Sequence, residues 1–192
     1  MHMVTVGIDE VGRGCWAGPL VAGAVILGEP IAGLKDSKKL SKQQREKLAA
    51  EIQVSALAIG LGWVTPQELD HIGLSAAVGL AMQRALEQIA MPFTEVIIDG
   101  NINYFPRDER ARAVIKADDT VPAVSAASIV AKVARDKYMA EIVHAKYPEY
   151  AFDQHVGYGT GLHQQMLKLY GACEQHRLSF RPIQALAQVS EV

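Results

Sequence analysis

Cysteine is almost missing from this chain of 192 residues. The two present, Cys15 and Cys173, are too few for a disulfide framework and have no metal-type spacing, so they read as free thiols. Long apolar runs are lacking too: no stretch approaches the roughly 18 residues of a membrane span. The first residues carry no charged segment followed by a signal-like apolar core, and a cytoplasmic protein is the expectation. Excess charge of either sign is absent. Nineteen basic against 21 acidic residues leave a net charge of -2, which excludes a generic polybasic nucleic-acid binder. A nucleic-acid enzyme remains open, because phosphate contacts need only a local basic surface and acidic metal ligands lower the total. Internal repeats, low-complexity tracts and long linkers are also missing. Hydrophobic residues make up 49%, enough for a buried core, and the length suits one domain over 1–192.

Three β-like runs come early: Thr5 to Asp9, Leu20 to Leu27 and Ala56 to Val64. Between the second and third, Ser41 and Gln44 make a capping box that opens a helix. A second helix opens at Thr65-Pro66-Gln67-Glu68 and runs to about Ala90, with a break near Gly73. Glu95 to Gly100 reads as a buried strand with a carboxylate at its exit, and Ala113 to Asp118 repeats that pattern. Helices follow over about Ser125 to Lys146 and over Thr160 to Tyr170, the latter stopped by Gly171. This order predicts an α/β domain, a mixed sheet flanked by helices. Its core covers about 1–147 and a small helical C-terminal part covers about 148–192.

Three expected strand ends finish in acid: Asp9-Glu10, Asp99 and Asp118. Sites in open α/β sheets collect at strand ends, and four carboxylates brought together would repel one another unless divalent cations sat between them. Oxygen ligands without histidine or cysteine favour magnesium or manganese over zinc. Two such ions about 4 Å apart suit in-line phosphoryl displacement. The surroundings suit a polyanion. Gly12-Arg13-Gly14 lets the backbone approach a sugar closely. Lys35, Lys38 and Lys39 form a basic loop before a helix start. Ser125, Ser128, Lys132 and Arg135 recur at spacings of three and four, a polar stripe that would lie along a nucleic-acid strand. Tyr158 stands between Gly157 and Gly159, with its ring face clear for a sugar or base. His155 and His163 read as hydrogen-bonded structural residues.

These residues resemble the ribonuclease HII (type 2 ribonuclease H) family across nearly the whole chain. The resemblance rests on Asp9-Glu10-Val11-Gly12-Arg13-Gly14 with Ala17-Gly18-Pro19, on Asp36-Ser37-Lys38-Lys39-Leu40, and on Ile98-Asp99-Gly100. Ser125-Ala126-Ala127-Ser128-Ile129-Val130-Ala131-Lys132 and Gly157-Tyr158-Gly159-Thr160 complete it in order. It implies an RNase H-like fold with a central mixed five-stranded sheet. It also implies a metal-dependent endonuclease that cuts the RNA strand of RNA–DNA hybrids and incises 5′ to single ribonucleotides in duplex DNA, giving 5′-phosphates. By carry-over Asp9, Glu10, Asp99 and Asp118 are catalytic and bind Mn(2+) or Mg(2+), two ions per site with substrate bound. Gly12, Arg13 and Gly14 read the ribose 2′-hydroxyl. Tyr158 stacks on the next deoxyribose, which makes the C-terminal segment junction-sensing. Lys38, Lys39, Ser128 and Lys132 hold phosphates. The expected partners are hybrid and ribonucleotide-bearing DNA, with no membrane, and the expected state is a monomer. Departures are local: Cys15-Trp16 in place of proline and an aliphatic residue, Ala117 where glycine often precedes the fourth acid, and Val156 where lysine is common.

A nucleotide-binding oxidoreductase would also place glycines after a first strand. Gly12, Gly14 and Gly18 have the wrong spacing, and the next strand follows too soon for a crossover helix. A non-catalytic hybrid-binding module would have no use for acids at three strand ends. Another metal nuclease of the same fold need not inspect a 2′-hydroxyl, so Tyr158 and the glycine turn argue against it.

Overall fold

The computed structural model describes residues 3–189; residues 1–2 and 190–192, the ends of the expected domain, lie outside them. Five strands pair in the order β3-β2-β1-β4-β5: β1 Thr5–Val11, β2 Leu20–Leu27, β3 Ala56–Val64, β4 Glu95–Asp99 and β5 Ala111–Val114. The first three are antiparallel neighbours, whereas β1, β4 and β5 run parallel, so the sheet is mixed as expected. The flanking helices are α1 Lys42–Ser55, α2 Pro66–Ile72, α3 Leu74–Leu86, α4 Ala117–Thr120 and α5 Pro122–Lys137. A short α6, His144–Lys146, closes the core, and the C-terminal part adds α7 Phe152–His155, α8 Gly161–Tyr170 and α9 Arg181–Val189.

Strand alternation sorts the side chains between two layers. Val6, Ile8, Ala22, Ala24, Val96 and Ile98 face α3, where Ala77, Val78, Ala81, Met82 and Ala85 meet them. The opposite face receives α5 and α1 through Val25, Ala126, Ala127, Leu48 and Ile52. Small residues let α5 come very close. A Cβ on Gly7 would stand 2.2 Å from the Ala123 carbonyl carbon, and one on Gly23 would stand 2.5 Å from the Ala127 oxygen. The helix backbone therefore lies directly on β1 and β2.

Local signals act where expected. Both capping boxes form, Ser41 with Gln44 and Thr65 with Glu68, and the second helix breaks at Gly73 into α2 and α3. The expected helix over 125–146 starts earlier, at Pro122, because proline lacks only an N–H that the first turn leaves unused. It continues through a π-helical turn, Tyr138–Val143, into α6. The expected strand over Ala113–Asp118 needs correction. Pairing with β4 stops at Asp99 opposite Val114, Lys116 turns left-handed, and Asp118 lies in the helical turn α4. The cause is a carboxylate: Ala117 N donates to Asp99 Oδ1 at 2.8 Å and Asp118 N at 3.4 Å, so Asp99 itself folds the chain over.

Because β1 and β2 meet helix backbone rather than a flexible side chain, a Cβ there cannot be absorbed by a rotamer change. Gly7→Ala and Gly23→Val are expected to lower unfolding stability by about 2–3 kcal/mol or more in urea titrations. A loss under about 0.5 kcal/mol would mean that α5 rides free of the sheet.

Candidate active site

Register brings the acids together. Ile8 lies opposite Ile98 in the parallel β1–β4 pair, so Asp9 and Asp99 stand one step further on, at the same level and on the face turned toward α5. Asp118 arrives from α4 through the backbone bonds to Asp99. One carboxylate oxygen from each of Asp9, Asp99 and Asp118 lies within 4.8 Å of the others. Glu10 sits beyond that trio, because alternation along β1 turns it away from Asp9. It pairs with Arg13 at 3.1 Å and borders a cleft of about 80 Å³ with Asp99 and Gly100.

The cluster is electrostatically strained. Burial pushes the Asp9 carboxyl well above its ordinary range, Glu10 and Asp99 push further, and hydrogen bonds from Ser128 and the Glu10 amide oppose them. Burial also raises Glu10, against the pull of Arg13, and raises Asp118, with Asp99 and Asp36 adding repulsion. Buried carboxylates of one sign need a positive partner to stay charged. An all-oxygen donor set with this repulsion fits a hard divalent cation.

Lys38 is the cation nearest in effect. Its side chain is 79% exposed, and although burial works against its charge, Asp36, Asp9, Asp118 and Asp99 together raise its pKa. Lys39 is tied down, with its ammonium 2.6 and 2.7 Å from the two Asp119 oxygens. The expected polar stripe on α5 requires correction, because three of its four members are buried. Ser125 donates to the Asp118 carbonyl at 2.6 Å, and Ser128 lies 2.8 Å from Ser37 and bonds Asp9. The hydroxyls thus hold the acid cluster from beneath. Arg135, fully buried, donates to the carbonyls of Ala17, Pro19 and Val156. Lys132 alone reaches outward, pairing with Asp136 at 2.8 Å and lying 5.0 Å from the Tyr158 ring centre.

At the glycine turn, Gly12 takes a φ of 88°, and nothing stands within 4 Å of where a Cβ on Gly14 would be. The backbone there is open to a close partner. Arg177, missed in the sequence, holds this turn from behind: it donates to Gly18 O at 2.9 and 3.1 Å and to Arg13 O at 3.2 Å. Nothing in the local sequence distinguishes it from a surface arginine. Tyr158 is 38% exposed, and a groove of about 770 Å³ runs from it past Lys132 toward Arg45. The unusual Cys15 contacts the Tyr158 hydroxyl, whose pKa burial pushes up to about 12, and Trp16 packs under Gly159.

Beneath Tyr158 the histidines are hydrogen-bonded, in keeping with the structural role expected of His155 and His163. A carbonyl only accepts, so His163 Nδ1 carries a proton to Tyr158 O at 3.0 Å. His163 Nε2 then accepts from His176 Nε2 at 3.0 Å, and His176 Nδ1 accepts from Cys173 N at 2.9 Å. Every ring is neutral in this chain, and burial depresses both His163 and His176 to about 4.

Sheet order and adjoining acids place the chain among nucleases of the RNase H-like fold. Comparison with known proteins narrows the class. The family model for ribonuclease HII matches residues 6–183. The ribonuclease HII of Delftia acidovorans is 44% identical, over 98% of this chain and 80% of its own, and that of Polynucleobacter asymbioticus is 46% identical over 99% and 100%. The crystal structure of ribonuclease H2 from Pyrococcus horikoshii superposes with a TM-score of 0.81 at 27% identity, covering 98% of this chain and 99% of that one. The chain belongs to the ribonuclease HII family. It is a ribonuclease H, an endonuclease that acts on RNA–DNA hybrids, and its family depends on divalent metal. Among the described residues no helix is long and apolar enough to cross a membrane.

Burial of the Asp9 carboxylate, with repulsion from Glu10 and Asp99 added, makes the metal-free protein less stable than it could be. With chelator present, Asp9→Asn is expected to be more stable than the parent by about 1–3 kcal/mol at pH 7.5, and Mg(2+) or Mn(2+) should stabilise the parent alone. A less stable Asp9→Asn protein in chelator would show that the carboxylate carries no net penalty. The histidines give a pH test. Their folded pKa values lie below the ordinary 6.5, so their contribution is full above that value and is lost as pH falls toward about 4. The stability gap between the parent and a His163→Gln/His176→Gln variant should therefore narrow by roughly 2 kcal/mol or more from pH 7.5 to pH 5. A constant gap would mean that the rings titrate normally in the fold.

Proposed function

We propose that this enzyme hydrolyses the RNA strand of RNA–DNA hybrids and also incises duplex DNA 5′ to a single embedded ribonucleotide, leaving a 5′-phosphate. The observation that carries the reading is the oxygen cluster of Asp9, Asp99 and Asp118 beside an open glycine turn. Asp9, Glu10, Asp99 and Asp118 would hold two Mg(2+) or Mn(2+) ions, with Glu10 joining by giving up Arg13. The ions supply activation of the attacking water and neutralisation of charge on the leaving oxygen. Ser128 and the Glu10 amide keep the Asp9 carboxylate aimed, and Asp99 serves both the site and the turn that delivers Asp118.

Recognition falls to other residues. The backbone of Gly12, Arg13 and Gly14 would meet the 2′-hydroxyl, the group that separates RNA from DNA. Lys38, exposed and within the field of the acids, would hold a phosphate next to the scissile bond, while Lys39 steadies that loop through Asp119. Tyr158 would stack on the deoxyribose past the cut, with Lys132, itself paired to Asp136, against its ring. Such work would place the enzyme in the cytoplasm, with access to its nucleic-acid substrates.

A denaturing gel of a DNA duplex carrying one ribonucleotide tests the reading directly. A cut 5′ to the ribonucleotide with Mg(2+) or Mn(2+) is expected, and no cut under either ion would refute it. Asp99→Asn should lower the rate by about three orders of magnitude or more, because it removes a carboxylate that would hold metal and loosens α4. Near-parent turnover would take Asp99 out of the site. Tyr158→Ala should reduce cutting of the single-ribonucleotide duplex about tenfold more than cutting of a long hybrid, and an equal effect on both would discard the stacking role.

A further inference from the structure

We propose that Arg135 is a positioning residue: it sets the separation between the ribose-reading turn and Tyr158, and thereby the enzyme's preference for RNA–DNA junctions. The proposal rests on the recognition roles given above for the turn and the tyrosine.

The guanidinium lies between the two segments and binds both. Nε donates to Pro19 O at 2.8 Å and Nη2 to Ala17 O at 3.0 Å, on the chain that follows the glycine turn. Nη1 donates to Val156 O at 2.9 Å, two residues before the tyrosine. The turn also sits directly on the arginine, since a Cβ on Gly12 would stand 2.4 Å from Nε. Three donors in a planar fork fix three carbonyls relative to one another; a lysine ammonium, a single point on a flexible stem, could not.

The far segment holds a conformation that needs such a support. Val156 has a φ of 44° and Gly157 a φ of 89°, two left-handed residues in succession. A β-branched side chain is poorly suited to that region, and strain of this kind persists only where the surroundings over-determine it. Arg135 ties this segment to the glycine-turn side, as do Trp16 N and Ala17 N, donating to Gly157 O at 2.8 and 3.3 Å, while Val156 N to Phe152 O and Gly157 N to His155 Nδ1 hold it locally. The result aims Tyr158. Its ring meets Lys132, one turn earlier on α5 than Arg135, so one helix carries both the strut and the cation under the ring. Arg177 provides an internal contrast. It is equally buried and braces Arg13 and Gly18; it feels the Tyr158 hydroxyl electrostatically, yet its guanidinium donates no hydrogen bond to the segment 156–158.

The test compares kcat and KM on two substrates, a long RNA–DNA hybrid and a DNA duplex with one ribonucleotide. The enzymes are the parent, Arg135→Lys, Arg177→Lys and Tyr158→Ala. Arg135→Lys is expected to lower the ratio of single-ribonucleotide to hybrid kcat/KM by about tenfold, chiefly through kcat, because small misplacements of a bound group cost rate steeply. Arg177→Lys should slow both substrates alike and leave the ratio within about threefold of the parent. If Arg135→Lys keeps the parent's ratio while Tyr158→Ala collapses it, the positioning role is overturned and the recognition reading stands. If Tyr158→Ala also keeps the ratio, the recognition reading fails and takes this proposal with it. Should Arg135→Lys lack a cooperative melt, Gly157→Ala replaces it. That added Cβ would stand 2.2 Å from Ala17 O, which forces the same two segments apart while leaving the buried charge in place. The same selective loss supports the proposal, and an unchanged ratio overturns it.

Discussion

Like charges forced close together organise this molecule. The parallel pairing of β1 with β4 sets Asp9 and Asp99 side by side, and Asp99 then recruits Asp118 by accepting hydrogen bonds from the turn that carries it. Each of these steps raises the electrostatic cost, since Asp9 is buried and its neighbours share its sign. The rest of the site reads as compensation for that cost. Ser128 and the Glu10 amide donate to Asp9, Arg13 answers Glu10, and Lys38 lies in the field of the whole group. A bound cation is the remaining counterweight that an all-oxygen cluster demands.

Holding such a cluster requires a platform that does not yield. Where repulsion pushes outward, a loosely packed layer would relax and the acids would separate. Here α5 rests on the sheet at Gly7 and Gly23 with no side chain between, so the helix backbone has almost no room to move. The same helix places Ser125 and Ser128 under the acids and Arg135 under the glycine turn. Packing and chemistry are thus joined in one element. Glycine on a strand weakens the strand itself, and the close seat of α5 is what that concession gains.

Much of the fold was legible because its signals are local. Capping boxes at Ser41 and Thr65, the break at Gly73 and the stop at Gly171 act within a few residues of themselves. The acids at Asp9 and Asp99 were visible for the same reason, at the ends of apolar runs. What escaped was long-range. Asp118 looked like a strand end, but its place depends on its amide, and that of Ala117, donating to the Asp99 carboxylate on another strand. Ser128 and Arg135 showed polar spacing that fits a surface stripe equally well. Only the partners, Ser37 for one and three carbonyls for the other, reveal that they face inward. A polar residue's side of a helix follows from what it meets, and no periodicity encodes that.

The near-zero net charge takes on meaning in this light. Many of the cations are already engaged: Lys39 with Asp119, Lys132 with Asp136, Arg13 with Glu10, and Arg135 and Arg177 with backbone carbonyls inside the protein. These cations are less available to a polyanion than their number suggests. On the proposed reading, recognition then rests on contacts that depend on shape: the open backbone at Gly14, the ring of Tyr158 and the exposed ammonium of Lys38. The first two are spaced by the frame that Arg135 braces, so on the proposed reading discrimination is set by distances within the protein more than by the strength of its grip. An enzyme that recognises its substrate in this proposed way would pass over most duplex DNA, which offers charge in plenty but no hydroxyl at the required place.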